Sequence, residues 1–91
     1  MADAVITMKL MPESVEADLE VIKSKAIEVI NGFNPIGEVT TSEEPVAFGL
    51  KAVMIKFVIV EETGTDAVEE KLAALDNVMS AEVAGYSRTL G

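Results

Sequence analysis

Between Ala4 and Met11 the chain alternates: Ala4, Ile6, Met8 and Leu10 fall on one side of an extended segment, and Val5, Thr7, Lys9 and Met11 on the other. A period of two predicts a strand, and Pro12-Glu13-Ser14 ends it. From about Glu16 the period changes. Leu19, Ile22, Ala26, Val29 and Ile30 recur at steps of three and four, which makes one apolar helix face. Glu16, Asp18 and Glu20 fall in its opening turns, where acids complement the helix dipole, and Asn31-Gly32 is a natural stop. Pro35 and Gly37 bracket a turn into a weaker extended run, Ile36 to Ser42, which Glu43-Glu44-Pro45 interrupts.

Leu50 to Val60 carries the strongest strand pattern. Lys51, Val53, Ile55, Phe57 and Ile59 alternate with Leu50, Ala52, Met54, Lys56, Val58 and Val60, and both sets are mostly apolar, which predicts a central strand. Glu61-Glu62-Thr63-Gly64 ends it. Thr65 suits the N-cap of a second helix with Asp66, Glu69 and Glu70 in its early turns and Val68, Leu72 and Leu75 as its stripe. Asp76-Asn77 closes that helix, and Val78 to about Ser87 predicts a last strand.

The order strand, helix, strand, strand, helix, strand predicts an α+β fold, the ferredoxin-like βαββαβ sandwich. Right-handed crossovers place both helices on one face of a four-stranded antiparallel sheet and leave the other face open. Residues 1–91 read as a single domain with no linker. Ile6, Met8, Leu19, Ile22, Val53, Ile55, Phe57, Val68, Leu72 and Leu75 are the expected core. Val5, Thr7 and Lys9, with Ala52, Met54, Lys56 and Val58, are expected on the open face, and Tyr86 near it.

Composition narrows the chemistry. The chain has no cysteine and no histidine, which excludes disulfides, thiol nucleophiles and the commonest general base and metal ligand. Its formal net charge is −9, with nine acids against three lysines in residues 1–45 and seven against four cations in residues 46–91. Seven dispersed cations make no nucleic-acid footprint, and an anionic membrane surface would repel the chain. No apolar run approaches ~18 residues and no signal-peptide pattern opens the sequence. A soluble, cytoplasmic protein is expected, without direct nucleic-acid or membrane binding.

Candidate sites are few. The open face holds no stacking aromatics of the kind an RNA-binding sheet displays. Glu43-Glu44 and Glu61-Glu62 are adjacent pairs, and adjacent strand residues point to opposite faces, so neither suggests a paired-carboxylate hydrolase. The glycines form no GxxxxGK loop and no GxGxxG fingerprint. No catalytic residue, metal site or cofactor is expected, and the protein is not expected to be an enzyme. The segment Glu44-Pro45-Val46-Ala47-Phe48-Gly49-Leu50-Lys51 stands apart. Pro45 restricts and Gly49 frees the backbone around Phe48, which can tuck under the domain, as most phenylalanines do, or project as an interface anchor.

Pro45-Val46-Ala47-Phe48-Gly49-Leu50-Lys51 resembles the P-[IV]-[AG]-F-G-[LI]-K signature of the elongation factor 1-beta family. Val5-Ile6-Thr7-Met8-Lys9-Leu10-Met11-Pro12-Glu13-Ser14 is similar to the first strand of its archaeal members. Asp18-Leu19-Glu20, Gly64-Thr65-Asp66-Ala67-Val68-Glu69-Glu70 and Leu75-Asp76-Asn77-Val78 resemble their helix starts and last-strand entry. The likeness runs over nearly the whole chain. It implies the ferredoxin-like fold and a guanine-nucleotide exchange factor that speeds GDP release from elongation factor 1-alpha in translation. It also implies that Phe48 is the anchor in a pocket of the GTPase; with Gly49 and Lys51 of the same signature, and Arg88 for its charge near the chain end, it makes up the expected partner-binding set. Eukaryotic members carry an N-terminal extension, and the sequence is expected to correspond to the archaeal form, which lacks it. Eukaryotic members also end in a lysine-bearing tail that reaches the magnesium and phosphate region; here Arg88 is the cation near the end and the matching lysine is missing. The free protein is expected to be a monomer. A ferredoxin-like interaction or ligand-sensing module without exchange activity is the alternative.

Overall fold

The alternation in the first segment produces β1, Ala2–Pro12, whose even-numbered residues Ala4, Ile6, Met8 and Leu10 are all buried. The computed structural model describes residues 2–47 and 49–90. The remaining elements are α1 Leu19–Asn31, β2 Thr40–Pro45, β3 Lys51–Val60, a 3₁₀ turn Glu61–Thr63, α2 Asp66–Ala73 and β4 Val78–Leu90. The sheet order is β2-β3-β1-β4 and every pairing is antiparallel. The two central strands are β1 and β3, the two with the richest apolar alternation.

Helix α1 begins later than its acidic run suggests. Asp18, in extended backbone, is the N-cap, and its carboxylate accepts the Glu20 N–H at 3.0 Å. Glu16 therefore lies outside the helix, in a turn where the Ala17 N–H reaches the Ser14 carbonyl. A capping carboxylate satisfies a helix-end N–H that would otherwise lack a partner. At the other end Gly32 stays in right-handed helical geometry, and the left-handed residue is Asn34, with φ 55°. In α2, Thr65 holds the N-cap position without donating or accepting a side-chain capping bond.

The core unites one face of the sheet with both helices. Ile22, Ala26 and Ile30 from α1 and Val68 and Leu72 from α2 pack with Ala4, Ile6, Met8, Leu10, Val53, Ile55, Phe57, Ile59 and Val78. Leu19 and Leu75, expected inside, are partly buried against this cluster. Each fully buried side chain of this size contributes about 1.5–3 kcal/mol of transfer free energy. No polar or charged residue among those described is buried. The opposite face carries Val5, Thr7 and Lys9 with Met54, Lys56 and Val58, as the alternation predicts. Ala52 shares their parity yet is buried, and it stands outside the core cluster.

Two expectations for the outer strands change. Of the run Ile36 to Ser42 only Thr40 to Ser42 belongs to the strand. The Ile36 N–H reaches the Val58 carbonyl at 2.7 Å, but the ladder runs from Thr40 to Pro45 and includes Glu43-Glu44. An edge strand tolerates charges, and a terminal proline there costs little of the ladder. In β4 the pairing to β1 shifts between Thr7/Met8 and between Met11/Pro12, leaving Ala84 and Met79 as extra residues. The bulge at Ala84 reverses the pleat between the two parts of β4, so Tyr86 stands opposite the buried Ile6, on the helix-covered side and not on the open face.

Candidate functional site

The connection from β2 to β3 is closed by two backbone bonds. The Val46 N–H donates to the Leu50 carbonyl at 3.0 Å, and the Leu50 N–H to the Ala47 carbonyl at 2.9 Å. Gly49 adopts φ +78°, a conformation that side-chain-bearing residues rarely take. A Cβ built there would meet only the Val15 side chain, at 3.7 Å, so the backbone conformation and not crowding calls for glycine. Val46, Ala47 and Gly49 are exposed and Leu50 is half-buried. Phe48 lies outside the described residues.

This connection faces the loop from β1 to α1. Between them runs a shallow groove of about 260 Å³, lined by Pro12, Val15, Leu19, Glu43, Gly49 and Lys51 among others. Val15 is 64% exposed at its rim. The floor is mixed: apolar side chains from the loop and helix start, a carboxylate from β2 and an ammonium from β3. Glu43 accepts a hydrogen bond from Lys23 Nζ at 2.7 Å, and the same ammonium lies 3.7 Å from Glu20. That hydrogen bond holds the Glu43 carboxyl below its ordinary range and raises Lys23; partial desolvation opposes each shift, and Lys51 adds to the effect on Glu43.

The four residues proposed from sequence do not form one cluster. Gly49 and Lys51 lie together at the groove, at the Pro12 end of the sheet. Arg88 pairs with Ala4 at the opposite end of β1, and its guanidinium makes an ion pair with Glu61 at 3.0 Å. Those ends are eight residue steps apart along β1, about 26 Å. Because this pair is solvent-exposed, Arg88→Ala should change folding stability by about 1 kcal/mol or less. Thermal unfolding checks this, and a larger loss would mean that Arg88 anchors β4. Val15 and Lys23 were not singled out by sequence reasoning as site residues, and Glu43 was weighed only as half of a carboxylate pair. The one hint was Val15, an apolar residue that continues the Leu19, Ile22, Ala26 stripe by one step of four yet lies before the Asp18 N-cap, outside the helix.

The Glu43-Glu44 pair separates as the strand pleat requires, while Glu61-Glu62 lies in the 3₁₀ turn after β3. Glu43 turns to α1, while Glu44 stands opposite Ala52 on the other side. Among the described residues there is no group of three or more acidic side chains placed to hold a metal ion. No helix among them is long and apolar enough to cross a membrane.

The architecture is that of the ferredoxin-like class. One solved structure sharing it is the ACT domain of a GTP pyrophosphokinase from Chlorobium tepidum, which superposes with a TM-score of 0.60 at 13% identity, covering 91% of this chain and 88% of that one. At that identity the likeness concerns the fold alone. Sequence carries the assignment further. The family model described as the EF-1 guanine nucleotide exchange domain matches residues 5–89, and the chain belongs to that family. It is 38% identical to elongation factor 1-beta of Methanothermobacter thermautotrophicus, across 99% of this chain and 100% of that protein. It is 40% identical to elongation factor 1-beta of Methanosphaera stadtmanae over equal shares.

Proposed function

We propose that this protein is a guanine-nucleotide exchange factor of translation elongation that promotes GDP release from elongation factor 1-alpha. The observation that carries this reading is the family match over residues 5–89, together with relatives of similar length aligned from end to end. In this reading residues 1–91 act as one exchange domain in the cytoplasm, monomeric when free, with the GTPase as partner and neither nucleic acid nor membrane as direct ligand. Phe48 is the anchor, Gly49 sets the turn that presents it, and Lys51 flanks it. Arg88 contacts the GTPase separately, from the other end of the sheet.

Exchange needs no bond-making group. A factor that binds the nucleotide-free GTPase more tightly than the GDP-bound form must, by reciprocity, weaken GDP in the complex. A difference of about 4 kcal/mol weakens GDP about a thousandfold. An aromatic anchor, a shaped groove and a few charges supply such a difference through binding alone.

The test is release of a fluorescent GDP analogue from the cognate GTPase with and without this protein. Acceleration at substoichiometric concentration supports the reading; an unchanged release rate at saturating protein overturns it. Calorimetry of the protein alone with GDP or GTP should show no binding in the micromolar range.

A further inference from the structure

We propose that Lys23 and Glu43 are positioning residues for the exchange reaction: their ion pair locks β2 against α1 and thereby sets the 46–50 connection before the partner arrives. The inference rests on the reading that this connection meets the GTPase.

The observation behind it is how little else holds β2. The strand is six residues long, Thr40–Pro45, lies at the sheet edge, and contributes nothing to the hydrophobic core. Five of its six residues are exposed. It is bonded along one side only, to β3. On its helix side the described side-chain link is Glu43 to Lys23, at 2.7 Å. Lys23 is unusual among lysines in being only 17% exposed at its side chain, with its stem laid along the protein and its ammonium held between Glu43 and Glu20. Glu43 also lines the groove beside Gly49 and Lys51. Two residues after Glu43 the strand ends at Pro45, and the connection begins directly at Val46, whose N–H closes the turn on Leu50. A shift of β2 therefore moves the near end of the connection, while β3 fixes the far end.

Holding a binding loop in place beforehand removes an ordering cost from association. An ion pair of this accessibility contributes little to global folding. Its effect should instead appear locally, as looser turn amides and a weaker encounter with the partner.

The experiment compares the wild type with Lys23→Met, Glu43→Gln and the conservative Lys23→Arg, each as the full chain. Native-state amide exchange of the free proteins is read at Val46 and Leu50. Catalysed GDP release is measured against exchange-factor concentration. Lys23→Met and Glu43→Gln should each speed exchange at those two amides by about threefold and raise the half-saturating concentration by a similar factor, with the maximal rate unchanged. Lys23→Arg should restore both readings, and the double variant should be no worse than either single one. Unchanged amides with an unchanged half-saturating concentration would overturn the proposal. So would unchanged amides with a raised concentration, since Lys23 or Glu43 would then touch the partner directly. A wild type that fails to release GDP refutes the exchange reading, whereas the amide measurement on the free protein still decides whether the pair holds the connection.

Discussion

Phe48→Ala is expected to leave the thermal midpoint nearly unchanged while removing roughly 2–4 kcal/mol of GTPase binding, the range of an interface hot spot. The expectation is built on the described neighbours. Val46, Ala47 and Gly49 are all exposed, and the turn that joins them is held by its own backbone bonds. Gly49 supplies the left-handed geometry that such a tight reversal needs. A large aromatic side chain presented from a restrained turn loses little conformational freedom on binding, which is why such anchors dominate interface energetics. The competing reading, a phenylalanine folded into the domain, predicts the reverse: about 3–5 kcal/mol lost from folding stability. Thermal unfolding and GDP release measured on the same variant separate the two. Intact exchange in a destabilised variant would remove Phe48 from the site.

Phe57→Ala should give the opposite pattern and serves as the control. Phe57 is 1% exposed, stands opposite Ile6 across the central pair of strands, and sits among Ile55, Ile59 and the helix residues. Truncating a buried phenylalanine removes its transfer free energy and leaves a cavity, at a cost of roughly 3–5 kcal/mol. For a chain of this length each kcal/mol moves the midpoint by about 4–8 °C, so the variant should melt well over ten degrees lower. Exchange activity at low temperature should fall only with the folded fraction. A midpoint within a few degrees of wild type would show that the strand register, and with it the division between core and open face, has been misassigned.

The elements that were legible in the sequence are those whose side chains lie against the core. In β1 and β3 burial alternates along the strand, and in α1 and α2 it recurs at three and four residues, so each pattern is a direct record of which side faces inward. The 45–51 segment was legible for another reason: proline and glycine constrain the backbone locally, whatever surrounds them.

The sequence by itself thus determined the element order, the central place of β3, the helix stripes and the sharp connection after Pro45, because each is encoded in residues adjacent along the chain. Tertiary structure decided the rest. Glu43-Glu44-Pro45 read as an interruption, yet it completes β2, because an edge strand needs one bonded side and leaves its charges free to meet Lys23. Tyr86 falls on the helix side only because a bulge at Ala84 reverses the pleat, and a bulge is a property of two strands pairing. The groove joins Val15, Glu43 and Gly49, and the sheet carries Arg88 about 26 Å away along β1. Local patterning specifies which face of an element is buried; pairing between strands specifies which distant residues become neighbours, and that information lies in no single stretch of the chain.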